Sequence, residues 1–184
     1  MAEKKYKGRK AYLNDFKKNA QGDYEYQGNL YEWKVSPKDR QKKMILLWIL
    51  GTGMLSSLVT AVCLDAPGAL NCIYVILPAA ISFVFGISVV WAMWKFAFTE
   101  NPMREYVFKA TIEAMSLRTI CVMGAAGAAV LGELIYLILH GADGNLFVAA
   151  VFLVTEGIGL LFALMIRKNV MDIHENTDKM SNEN

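Results

Sequence analysis

The 184-residue sequence has only three cysteines and two histidines, and it has no cofactor-binding signature. Three cysteines exclude a disulfide scaffold. There is no Gly-x-x-x-x-Gly-Lys phosphate loop, no His-Glu-x-x-His, no Gly-x-Ser-x-Gly and no Cys-x-x-Cys, so the common hydrolase, nucleotide-binding and redox motifs are missing. No Asn-x-Ser/Thr glycosylation site occurs, and no cofactor or metal is expected. Charge is also scarce: 20% of residues are charged and 55% are hydrophobic, with a mean hydropathy of +0.30. Ordinary soluble domains carry roughly 25% charged and about 45–50% apolar residues. The deficit is local. Residues 1–43 hold 18 of the 36 charged residues, and later stretches of twenty residues hold almost none. That distribution argues against a disordered chain and a nucleic-acid module, and for a multi-pass membrane protein.

Four apolar runs stand out, at about 44–63, 72–94, 119–139 and 146–166. Each can form a helix of about twenty residues, the length that crosses a ~30 Å hydrocarbon layer. All nineteen Lys and Arg lie in three segments: the N-tail 1–43, the connection between the second and third runs, and the tail from Arg167 onward. The other two loops hold only Asp65, Asp143 and His140 as ionisable residues. By the positive-inside rule both termini are cytoplasmic. The fold class expected is all-α: an integral membrane four-helix bundle of two helical hairpins in the cell membrane. The first run follows 43 polar residues and is too long for a signal-peptide core, so it reads as a signal-anchor. His140 and His174 then fall on opposite sides and cannot share a metal. Cys63 and Cys72 flank the first outer loop; they could close it with a disulfide, and the favoured reading is two free thiols at span ends.

Outside the runs, Lys34, Lys38, Arg40, Lys42 and Lys43 sit against the membrane. They serve as a topology anchor, and anionic lipid headgroups are the expected partner, at ~1 kcal/mol per basic residue. Between Asp23 and Trp33, aromatic and acidic residues alternate about Gln27-Gly28-Asn29, which reads as a short hairpin over 23–33. Residues 102–118 read as a cytoplasmic amphipathic helix, with Pro102 in the first turn and Glu105, Lys109 and Glu113 on one face. It either lies on the interface or runs straight into the third span. The C-tail, 169–184, is polar and expected to fray.

Within lipid, helices associate through small and polar residues. The spans carry such stripes at Thr52, Ser56 and Thr60; at Tyr74, Pro78, Ser82 and Gly86; at Ala126, Ala129, Glu133, Tyr136 and His140; and at Ala149, Glu156, Gly159 and Ala163. Intramembrane acids are functional candidates by default. Glu133 and Glu156 are expected about four residues apart in depth, within bridging reach, with no Lys or Arg in the spans to neutralise them. The candidate ion or substrate site is therefore Glu133, Glu156, Tyr136, His140, Ser56 and Ser82. Two readings follow. One is a non-enzymatic accessory or structural subunit, acting with a larger membrane-protein partner or as a homo-oligomer. The alternative is a small proton- or cation-coupled transporter using Glu133 and Glu156.

Overall fold

A computed structural model describes residues 13, 15–19, 22–141 and 145–180. Asp143 and most of the first fourteen residues lie outside that set. The chain is mostly helical. Its elements are β1 (Phe16–Lys18), β2 (Tyr24–Tyr26), β3 (Leu30–Trp33), α1 (Pro37–Val62), α2 (Pro67–Asn71), α3 (Ile73–Ala97), β4 (Met103–Arg104), α4 (Glu105–Phe108), a π-helical turn (Lys109–Glu113), α5 (Ala114–His140), α6 (Leu146–Glu175) and β5 (Thr177–Met180).

Four helical stretches are long and apolar enough to cross a membrane: α1, α3, the continuous run Glu105–His140, and α6. α1 begins before its apolar run because Ser36 caps it. The Ser36 hydroxyl accepts the Asp39 N–H at 3.2 Å, and Pro37 occupies the first turn, where no N–H is needed. The run 102–118 resolves into two parts. Met103–Arg104 pair as a strand, so the helix starts at Glu105 rather than Pro102, and it then continues through the π turn into α5.

The four long helices form a ring in which α1 touches α3 and α6, and α5 touches α3 and α6. Neighbours are antiparallel. Gly51 lies against Met93 while Gly86 lies against Leu58, and Gly53 lies against Phe162 while Gly159 lies against Ser57 and Leu58. Pro78 sits inside α3. A proline has no N–H for the carbonyl four residues back, here Tyr74. That carbonyl faces Gly132 of α5, where an added Cβ would approach it to 2.9 Å. The missing hydrogen bond and the missing side chain thus occur at one close helix–helix contact.

Outward faces are as apolar as the core. Ile49, Leu77, Val84, Leu131, Ile138 and Phe147 are all more than half exposed. Water would penalise such a surface at ~25 cal/mol per Å², whereas lipid does not.

One end of the bundle carries a folded cap. β3 is the central strand of a three-stranded antiparallel sheet, between β4 and β5. Leu30 is registered with Arg104 on one side and with Met180 on the other. The expected 23–33 hairpin is not formed: β2 pairs with β1, and β3 pairs with the two distant strands. Of the residues expected to turn that hairpin, Gln27 donates its N–H to the Asp15 carbonyl at 2.7 Å and Asn29 binds α4. The Asn29 carbonyl accepts the Glu105 N–H at 3.1 Å, and Asn29 Nδ2 donates to Glu105 Oε2 at 2.6 Å. A lone hairpin is marginal, while three strands backed by a core are not. The C-tail likewise does not fray directly after the span: α6 continues to Glu175 and β5 follows.

Trp33 joins cap to bundle. It is 2% exposed, stacks obliquely on Phe96 at the end of α3, and sits beneath the Arg40 guanidinium. Asn101 completes its backbone pairing, accepting the Trp33 N–H at 3.0 Å and donating to the Trp33 carbonyl at 3.2 Å. Tyr31 stacks on Phe108 at 4.3 Å.

Candidate functional site

Glu133 and Glu156 are both fully buried, but they occupy different places. Glu133 sits at the end of the bundle away from the cap, on the inner face of α5. Its Oε1 accepts the Gly68 N–H at 3.3 Å, from the short helix α2 folded over the bundle end. The approach requires glycine, because a Cβ at Gly68 would fall on the Glu133 carboxylate. Tyr136, one turn further along α5, is 5% exposed, and its hydroxyl accepts a hydrogen bond from Asn71 Nδ2 at 3.3 Å. His140 stacks on Tyr136, with centroids 4.7 Å apart, and is itself exposed. Glu133, Tyr136 and His140 therefore form a file from the interior to the far end of the bundle, covered by α2.

Glu156 lies deeper. Its Oε1 meets the Ser82 hydroxyl at 3.5 Å, but that hydroxyl has one proton and already donates to the Ala79 carbonyl at 2.7 Å. Glu133 Oε2 and Glu156 Oε2 have no hydrogen-bond partner among the described residues. An ionised carboxylate would be only partly compensated there, at Glu133 by the Gly68 N–H and at Glu156 by the distant Ser82 hydroxyl.

The two acids do not share a site. Gly132, next to Glu133, abuts Tyr74 and Val75 of α3, whereas Glu156 meets Ser82. Seven residues of α3 separate these levels, or ~10 Å at the helical rise.

Ser56 is not brought to the acids. Thr52, Ser56 and Thr60 all face outward, and each hydroxyl is satisfied within α1, by Trp48, Gly53 and Ser56 carbonyls at 2.8, 3.0 and 2.9 Å. Such back-bonding removes the need to bury a hydroxyl. The buried hydroxyl of α1 is Ser57, which bonds the Met54 carbonyl at 2.8 Å and lies against Gly159. The other three stripes do turn inward at Ser82 and Gly86, at Ala126, Ala129 and Glu133, and at Glu156, Gly159 and Ala163. Gly68 and Asn71 were not foreseen; only their place in a loop lacking Lys and Arg could have drawn attention to them. Cys63 and Cys72 are free thiols, and no group of three metal-ligating side chains occurs among the described residues.

Four of the five tail cations have protein partners, Lys42 through Asp39 at 3.9 Å. Lys34 pairs with Asp178 at 2.7 Å, Lys43 pairs with Asp172, and Arg40 donates to the Thr99 carbonyl at 2.7 Å. Asp178 at its side raises the Lys34 pKa above the ordinary lysine value. Where Glu105 meets Lys109 and Asn29, before the membrane-spanning part of α5, the two hydrogen bonds lower its pKa below the usual carboxylate range.

No family model, curated protein or solved structure matches the chain.

Proposed function

We propose that this chain is a non-enzymatic subunit of a membrane complex, embedded in the cell membrane as two helical hairpins with both termini cytoplasmic. The observation that carries the reading is the β4–β3–β5 sheet. It gathers the N-tail, the α3–α5 connection and the C-tail into one cap at one end of the bundle. These are the segments that hold all nineteen Lys and Arg, so their shared location supports a common cytoplasmic side. The antiparallel contacts of α1 with α3, and the direct packing of α5 on α6, support the hairpin pairing. A rigid cap of three chain segments offers a cytoplasmic face for a larger partner. The separation of the two acids argues against a single ion site shared between them.

Mild solubilisation of the tagged chain from its own membrane tests this. The expected result is a complex larger than the chain itself, with one companion at fixed stoichiometry, lost when the cap is disrupted by Trp33→Ala. Migration of the wild type as the chain alone, or as a simple homo-oligomer, would count against the accessory role.

A second reading, a proton- or cation-coupled transporter, is favoured by one feature: each buried acid keeps an oxygen without a partner among the described residues. Proton flux in proteoliposomes of the lone chain, abolished by Glu156→Gln or Glu133→Gln, would establish it in place of the first.

A further inference from the structure

An open groove of about 430 Å³ runs along the outer side of α6 near the cap, lined by Leu164, Arg167, Lys168, Met171, Asp172 and Glu175. We infer that it holds the headgroup of an anionic phospholipid, with Arg167 and Lys168 on the phosphate and Leu164 beneath the upper acyl chain.

Four observations converge. First, Arg167 makes no hydrogen bond or ion pair among the described residues, and its Nε is buried without an acceptor. A guanidinium held by packing, with its fork unspent, suits a phosphate. Second, its depth is right. The Lys43–Asp172 pair marks where α1 and α6 meet at the capped end. Arg167 lies five residues further into the bundle, about 7–8 Å at the helical rise. On α1, the residue five positions in from Lys43 is Trp48, whose indole meets Trp94 edge-on at 5.8 Å. Paired tryptophans at one depth mark the interfacial layer where headgroups lie. Third, the carboxylates leave the charge favourable. Asp172 is neutralised by Lys43, and Glu175 is eight residues from Arg167, ~12 Å along the axis. Fourth, the groove is continuous with a lipid-facing surface on its bilayer side: Leu164 is 41% exposed, and Leu161 and Met165 extend the strip.

The site differs from the tail cluster that charge alone suggested. There Lys34, Arg40 and Lys43 are committed to protein partners. The inference rests on the membrane reading of the chain, not on its role as a subunit.

Native mass spectrometry of the full-length protein in detergent tests it, with phosphatidylglycerol and phosphatidylcholine added in turn. The wild type is expected to retain one phosphatidylglycerol with a preference of about tenfold over phosphatidylcholine. Arg167→Gln should abolish the preference, and Arg167→Lys, which keeps the charge but loses the fork, should reduce it by roughly half on a logarithmic scale. Lys38→Gln with Lys42→Gln should change it less than about twofold. If Arg167→Gln is not recovered folded, Arg167→Lys and Lys168→Gln carry the test. Equal retention of the two lipids by the wild type, an unchanged preference in the Arg167 variants, or full displacement of the lipid by millimolar inorganic phosphate would each overturn the assignment. A chain that stays in solution without detergent would instead overturn the membrane reading beneath it.

Discussion

Trp33→Ala should open the cap while leaving the bundle intact. The indole is 2% exposed. Burying a tryptophan removes about 150–250 Å² from water, which at ~25 cal/mol per Å² amounts to about 4–6 kcal/mol as an upper bound. Truncation of buried tryptophans costs about 3–5 kcal/mol. The loss falls where three segments meet, since Trp33 is registered with Thr177, held by Asn101 and packed on Phe96. Each ~1.4 kcal/mol is tenfold in an equilibrium constant. Amide hydrogen exchange in β3 and β5 should therefore accelerate by about 10²–10³, up to the limit set by the cap's own opening equilibrium. Amides at Ser82–Val89 in α3 and Ala126–Ala129 in α5 should keep their wild-type rates. Two results would refute the reasoning: β5 exchange unmoved by the substitution, which would mean the C-tail strand does not depend on β3; or equal acceleration in mid-bundle, which would mean the cap is not a separable unit.

Gly68→Ala should displace α2 from Glu133, because the new Cβ falls on the carboxylate; with the free thiols Cys63 and Cys72 replaced by serine, a cysteine introduced at Asn71 should label faster with a membrane-impermeant maleimide in the Gly68→Ala chain than in the chain that keeps Gly68. Acidification should loosen the cap: the hydrogen bonds from Lys109 and Asn29 lower the Glu105 pKa, so its stabilisation is complete above the ordinary carboxylate range and is lost as pH falls through the lowered folded value. Tryptophan fluorescence followed down an acid titration should show that transition, and Glu105→Gln should flatten it. Ser36→Ala should cost about 1 kcal/mol of capping at the start of α1, read as faster exchange of the Asp39 and Arg40 amides with α3 unaffected.

Much of the architecture was legible before any coordinates. Charge exclusion located the four long helices, and the small-residue rule turned Ser82, Glu133, Glu156 and Gly159 inward. It failed on α1, where Ser57 rather than Ser56 is buried. In water, the apolar stripe of a helix marks its buried face. Here Ile49 and Val84 face out while Leu47 and Val89 face in, so hydrophobicity carries no phase. Hydroxyls were a poor substitute, because Thr52, Ser56 and Thr60 satisfy themselves on their own helix.

The cap was misread for a different reason. Tyr24–Tyr26 and Leu30–Trp33 both have strand character, and proximity in the chain favoured pairing them. The partners of β3 lie about 70 and 150 residues away, in Met103–Arg104 and Thr177–Met180, segments too short to announce themselves as strands. Sequence alone determined which stretches leave water and which segments hold the basic charge, because desolvation cost depends on composition within a window. Tertiary structure decided which helix face is interior, which acid meets which partner, and which strands pair, because those depend on register between distant segments, which no local property of the chain encodes.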